Sequence, residues 1–287
     1  MIIDAHHHVW DPAERAYPWM GPDVAPLRRR FDLGDYLAAT AGTGVTAGVI
    51  VQATSSVEET EHLLGLAAGF AAVAGVVGWV DLRAPDMADT LARLKAGVGG
   101  SALVGVRHQV EDEPDPAWLA DPATVHGLRA VAAAGLTFDL LVRPRQLAAA
   151  VTAARSVPEL PMILDHGAKP PIADGTWEPW STAVAELASA PNVSCKLSGL
   201  VTEAGPGWSM AALAPWADRL LDLFGPGRLL FGSDWPVCTL VATYRQVLDA
   251  ADQVLAGLGA DERDQVLAGN ARRVYGLGPS PMPCLTV

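Results

Sequence analysis

The sequence predicts a single-domain α/β protein, a (β/α)8 TIM barrel extending over residues 1–287. Three observations predict it. Short apolar runs bounded by glycine or proline recur along the whole chain. Stretches of helix-forming composition separate them, and polar residues suited to chemistry gather where the runs end. The runs are Ile2–Val9, Val45–Gln52, Val73–Leu82, Leu103–Val110, Leu136–Val142, Met162–Gly167, Val193–Ser198 and Leu229–Asp234. Each is almost continuously apolar, as expected of a parallel strand covered on both faces. Between them, Asp86–Lys95, Thr124–Ala134, Pro144–Ala154 and Ala211–Leu223 are helical in composition. An open doubly wound sheet would carry a glycine-rich phosphate loop after an early strand, and none follows Ile2–Val9.

Composition narrows the function. Hydrophobic residues make up 50% of the chain and charged ones 18%, which allows a large core. A net charge of −12 repels phosphate backbones and anionic lipid, so no nucleic-acid or membrane partner is expected. Cys195, Cys238 and Cys284 are odd in number and lack metal-type spacing; free thiols in the cytoplasm account for them. Leu63–Val80 holds no charge, but four glycines interrupt it. Its first part reads as a helix begun by Ser55–Glu61 and its second as a buried strand, not as a membrane span.

Alternation along strands sorts the polar residues. On the first run, Asp4-Ala5-His6-His7-His8, His6 and His8 share a face with Ile2 and Asp4, while Ile3, Ala5 and His7 point the other way. Three histidines set inside a strand are too few and too embedded to be a purification tag. On the fourth run, Gly105 and Arg107 face the axis, and His108 follows at the strand end. On the sixth, His166 shares parity with Met162 and Leu164. Lys196 alternates with Cys195 and Leu197 on the seventh, and Leu230, Gly232 and Asp234 share one face of the eighth. Gln52 closes the second. Lys196 and Asp139 admit two readings, a buried ion pair that fills the barrel or a functional pair. His62 and His126 fall in helices as surface or packing residues, and His7 packs toward the helix layer. The connection Val9–Phe31 is long and rich in proline, tryptophan and arginine, and reads as a lid or pocket wall. Trp10, Trp79 and Trp235 sit at strand ends, where flat faces can stack on a sugar or pack the loops.

These residues resemble the amidohydrolase superfamily in its amidohydrolase-2 branch. Asp4-x-His6-x-His8, a strand-end His166 and Phe231-Gly232-Ser233-Asp234 carry the likeness. Finer motifs resemble the L-fuconolactonase-type sugar lactonases of that branch. They are Gly75–Leu82, Gly105-Val106-Arg107-His108, Leu164-Asp165-His166-x-x-Lys169-Pro170-Pro171, Cys195–Leu200 and Gly232-Ser233-Asp234-Trp235-Pro236. Two departures bear on metal. Metal-dependent relatives usually carry a histidine on the fifth strand, and Leu136–Val142 has none. Many binuclear members have a bridging lysine on the fourth strand, where this chain has Arg107.

The resemblance implies a hydrolase that opens a cyclic ester, with a small-molecule lactone as partner and a homo-oligomer left open. Asp234 is then the general base, with His166, His6 and His8 completing the catalytic set and polarising the carbonyl. Arg107, His108, Lys169, Gln52, Trp79 and Trp235 form the substrate-binding set. At most one divalent ion, zinc or manganese, is expected on His6, His8 and Asp234, and metal-independent action stays open. The alternative is a metal-dependent non-oxidative decarboxylase of the same superfamily, acting on an aromatic or unsaturated carboxylate. A non-catalytic metabolite-binding barrel is a third class.

Overall fold

The computed structural model describes residues 1–278, and Cys284 lies outside them. Its strands are β1 (Ile2–His7), β2 (Val45–Val51), β3 (Val73–Gly78), β4 (Leu103–His108), β5 (Thr137–Leu140), β6 (Met162–Leu164), β7 (Val193–Leu197) and β8 (Leu229–Phe231). They form one eight-stranded sheet in sequence order with parallel neighbours. The helices are α1 (Leu33–Thr40), α2 (Val57–Gly69), α3 (Met87–Ala96), α4 (Pro122–Ala133), α5 (Leu147–Ser156), α6 (Trp180–Ala188), α7 (Leu200–Ala204), α8 (Met210–Phe224), α9 (Tyr244–Val254), α10 (Ala260–Asp264) and α11 (Asn270–Tyr275). The protein is a (β/α)8 barrel. The uncharged stretch after Leu63 divides between α2 and β3, and no described helix is long and apolar enough to cross a membrane.

Helix starts follow the sequence. Ser56 accepts from the Glu59 amide at the head of α2, and Asp32 with Asp35 forms a reciprocal cap on α1. Each satisfies amides that the first helical turn leaves without a partner. The larger core lies between the sheet and the helices. A smaller one joins Ile3 and Ala5 of β1 to Val49, Val77, Ile163 and Leu230, strands from all round the sheet, and therefore fills the barrel interior. Ala268, Ala271 and Tyr275 close its N-terminal end.

Strand irregularities correct two parity expectations. Asp4 pairs with Gly48 but His7 with Ile50, so β1 carries one extra residue and bulges at Ala5–His6. Asp4 consequently faces outward with His7, while Ala5 faces inward. His6 and His8 do face the axis, because the bulge resets the alternation. On β6, Met162 and Leu164 pack toward the helices and Ile163 faces the interior. His166 thus reaches the axis because the strand ends at Leu164 and the backbone turns left-handed, with φ of 53°.

The outward Asp4 serves as a seam. Its carboxylate accepts from the Ser233 amide (2.9 Å), the Ser233 hydroxyl (2.6 Å), Tyr36 (3.2 Å) and Tyr244 (3.0 Å). The barrel closes beside it, where the His8 amide donates to Trp235 (2.7 Å) and the Asp234 amide to His6 (2.8 Å). Next to this seam the His7 ring stacks on Tyr36 with centroids 3.8 Å apart.

A second tie anchors the wall above β2. Glu59, 1% exposed, accepts the Ala53 and Thr54 amides at 2.9 Å each, and Ala53 accepts the Trp19 indole N–H at 2.7 Å. The other Glu59 oxygen is buried without a partner. Burial pushes the Glu59 carboxyl up to about 6, against the lowering effect of the two amides.

Two stability effects are expected. A Cβ on Gly48 would lie 2.5 Å from His7 Nε2 and 2.8 Å from the Tyr36 hydroxyl. Gly48→Ala should therefore cost about 1–3 kcal/mol, read as a lower urea midpoint; an unshifted midpoint would show that the stacked rings yield freely. Glu59 binds protons more tightly folded than unfolded, so its contribution to stability falls as pH rises from about 4.5 to about 6. Glu59→Gln removes that cost. It should be more stable than the native protein above this window, by on the order of 2 kcal/mol, with the gap closing in acid. Melting curves across pH that stay parallel would contradict this.

Candidate active site

The carboxyl ends of the strands surround a cavity of about 350 Å3. His8, Arg107, His166, Lys169 and Asp234 line it, with Trp19 and Val24 of the long first connection as one wall. Of the two readings of Val9–Phe31, lid or pocket wall, the wall is met through Trp19 and Val24.

Asp234 stands at the centre. The turn after β8 places it in the left-handed region, φ 57°, a costly conformation for a residue with a side chain. Its Oδ1 lies 3.5 Å from His8 Nε2, 3.7 Å from His6 Nε2 and 3.8 Å from His166 Nε2. Burial works to raise its carboxyl, but the groups around it, His166 first and Lys169 among them, outweigh burial and hold it below the usual range. It is an ionised base among imidazoles.

The neighbours of each ring assign its proton. His8 Nδ1 donates to the Val51 carbonyl at 2.7 Å, which leaves a lone pair on Nε2, facing Asp234. His166 Nδ1 lies 2.8 Å from the Ser198 hydroxyl, which can donate to it and so leave Nε2–H toward the cavity. His6 Nδ1 sits 3.0 Å from Lys196 Nζ and 3.3 Å from Asp165 Oδ1, and its Nε2 lies 3.2 Å from His8 Nε2. Burial, then Lys196, lowers His6 well below the ordinary imidazole range. Burial likewise lowers His8 and His166, so all three rings are neutral near pH 7.

Beneath them lies a dry ionic layer. Lys196, fully buried, pairs with Asp139 and, at 2.9 Å, with Asp165 Oδ1. Arg107 Nη1 reaches Asp165 Oδ2 at 3.0 Å and His6 Nε2 at 3.3 Å, and its Nη2 reaches Gln52 Oε1 at 3.2 Å. Tyr275 donates to Asp139 at 2.8 Å. Lys196 and its cation neighbours hold Asp165 well below the usual carboxylate range despite burial.

A divalent ion has two candidate donor sets among the described residues, His6–His8–Asp234 and His6–Asp165–His166, each with ligand atoms within 4.8 Å of one another. The first fits. His8 Nε2 is a fixed lone pair, Asp234 brings a negative charge, and Asp165 Oδ1, ion-paired with Lys196 and 3.3 Å from His6 Nδ1, can accept a proton on His6 Nδ1 and leave Nε2 to coordinate. In the second, Asp165 is already committed to Lys196 and Arg107.

Other expected residues lie elsewhere. Gln52 is behind Arg107 and holds it. His108 stacks on Trp118 with centroids 4.3 Å apart, and binds Trp79 and Glu113 rather than lining the cavity. Trp235 packs edge-on against Phe31, and Trp10 against Trp19 and Phe31. The aromatic group in the cavity is Trp19. Asp165, Ser198, Trp19, Glu111, Arg143, Thr202 and Glu203 went unread in the sequence; of these, only Asp165 and Ser198 stand inside recognisable motifs.

Known proteins resemble this chain along nearly its whole length. The amidohydrolase family model matches residues 3–277. An L-fucono-1,5-lactonase of Burkholderia ambifaria is 40% identical over 95% of this chain and 94% of its own. A second, from Burkholderia multivorans, is 38% identical over 97% of each. The crystal structure of an amidohydrolase from Burkholderia multivorans with bound zinc superposes with a TM-score of 0.90 at 38% identity, covering 97% of this chain and all of that one. The barrel, the His6–His8–Asp234 constellation and the match over nearly the whole chain make this protein a member of the amidohydrolase family.

Proposed function

We propose that this protein is a lactonase, opening a neutral sugar-acid lactone by general-base-assisted attack of water. The observation that carries the reading is Asp234, whose Oδ1 lies within 3.8 Å of the Nε2 atoms of His6, His8 and His166 at the mouth of the barrel. Full-length similarity to two L-fucono-1,5-lactonases supports the cyclic-ester substrate.

Asp234 takes the proton from water and later returns it to the ring alkoxide that leaves. His166 Nε2–H donates to the carbonyl oxygen as charge develops there, and Arg107 adds positive potential behind His6. Val51 keeps the His8 Nε2 lone pair aimed into the cavity, so His8 accepts or coordinates and does not donate. His6, His8 and Asp234 would hold a single divalent ion. When bound, it would polarise the carbonyl and make a nearby water more acidic. Lys169 lines the cavity. The buried, unbridged Cys195 and Cys238 agree with a cytoplasmic setting.

A pH-indicator screen of aldonolactones, beginning with L-fucono-1,5-lactone, tests the activity. Acid release is expected, and silence across the panel would refute it. Asp234→Asn should fold normally and lose roughly 100- to 10,000-fold in turnover; a variant near native rate would assign the base elsewhere. Metal analysis of the native protein should find at most one equivalent, with chelation lowering the rate and zinc or manganese restoring it. Two tightly held equivalents would contradict the single-ion site.

A further inference from the structure

The cavity lining contains three cations, Arg107, Arg143 and Lys169, and four carboxylates, Glu111, Asp112, Glu203 and Asp234. Every cation already faces a carboxylate. Lys169 Nζ lies 2.7 Å from both Glu111 oxygens, Arg143 Nη2 3.3 Å from Glu111 Oε2, and Arg107 Nη1 3.0 Å from Asp165 Oδ2. A carboxylated substrate would have to break one of these pairs and meet surplus negative charge. The cavity does hold unpaired polar groups of another kind. Thr202 Oγ1 is buried without a hydrogen-bond partner, and among the described residues the Glu203 carboxylate has no hydrogen bond or ion pair. Both stand on α7, which follows the strand that carries Lys196.

Burial raises the Glu203 carboxyl, with Lys169 and Arg143 opposing. Half-buried and without a protein partner among the described residues, this carboxylate is free to accept from donors that arrive with a ligand. Sugar hydroxyls are such donors, and two adjacent hydroxyls match the two oxygens of one carboxylate. Thr202 can accept from, or donate to, a further hydroxyl.

We propose that Thr202 and Glu203 form the hydroxyl-recognition wall of the cavity, and that with the paired cations opposite they select neutral polyhydroxylated lactones over carboxylated ones. The inference rests on the lactone-hydrolase reading and deepens it. Neither residue takes part in the bond changes; they hold the ring by its hydroxyls.

Steady-state kinetics on L-fucono-1,5-lactone provide the test, with δ-valerolactone, which lacks hydroxyls, run as alternative substrate and as competitive inhibitor. Glu203→Gln and Thr202→Val should raise KM for the polyhydroxylated lactone about 10- to 100-fold with kcat within about threefold, the signature of lost ground-state binding. The constant for δ-valerolactone, as KM or Ki, should stay within about twofold, since it makes none of the lost bonds. Unchanged KM in both variants, a collapse of kcat alone, or equal weakening of both lactones would overturn the recognition wall while leaving lactone hydrolysis standing. So would native hydrolysis of 2-pyrone-4,6-dicarboxylate as fast as of the neutral lactone. A native enzyme inert toward every lactone would overturn the activity itself, and the wall with it.

Discussion

A lysine with no exposed surface organises this molecule. Lys196 sits in the barrel between Asp139 and Asp165, with His6 Nδ1 at 3.0 Å. Removing one partner from such a pair leaves a buried charge uncompensated, typically at a cost of about 3–5 kcal/mol. Arg107 completes the balance, so two cations meet two carboxylates in one layer. Everything above it takes its orientation from this layer. His6 is held from below by Lys196 and Asp165 and from the side by Arg107, and His6 in turn fixes where His8 and Asp234 converge. The layer is also tied downward, since Tyr275 of α11 both plugs the barrel and donates to Asp139.

The seam between the first and last strands is the second constraint. β1 and β8 close through backbone bonds made by His8 and Asp234, residues of the site itself. A site that doubles as the barrel closure would loosen whenever the closure did. Asp4 guards against that from outside, receiving hydrogen bonds from Ser233, Tyr36 and Tyr244. Burial raises its carboxyl while the Ser233 and Tyr244 bonds oppose the rise. The β1 bulge makes this division of labour available: one extra residue sends Asp4 to the helix layer and its neighbours His6 and His8 to the axis.

The cavity's electrostatics separate two chemistries that share the barrel. Decarboxylation of an aromatic acid calls for positive charge free to meet the substrate's carboxylate. Here Lys169, Arg143 and Arg107 are matched by Glu111 and Asp165, and surplus carboxylates remain. A ring bearing hydroxyls, with Trp19 at its side, suits that balance better than an anion does.

What the sequence determined by itself was local and periodic. Eight apolar runs gave the barrel, and each run proved to contain a strand. Asp4-x-His6-x-His8, His166 and Gly232-Ser233-Asp234 marked the site, because residue types that bind metals or move protons are rare in such runs. Arg107 was also legible as inward-facing, whereas the orientation of Lys196 was left open. The tertiary structure decided what strict alternation cannot express. A one-residue bulge reversed Asp4, and a left-handed turn rather than strand parity delivered His166. His108 and Trp235 turned away because ring stacking with Trp118 and Phe31 satisfied them elsewhere. Trp19, Thr202 and Glu203 entered the cavity from loops and a short helix, where position depends on what the backbone packs against and no repeating pattern announces it.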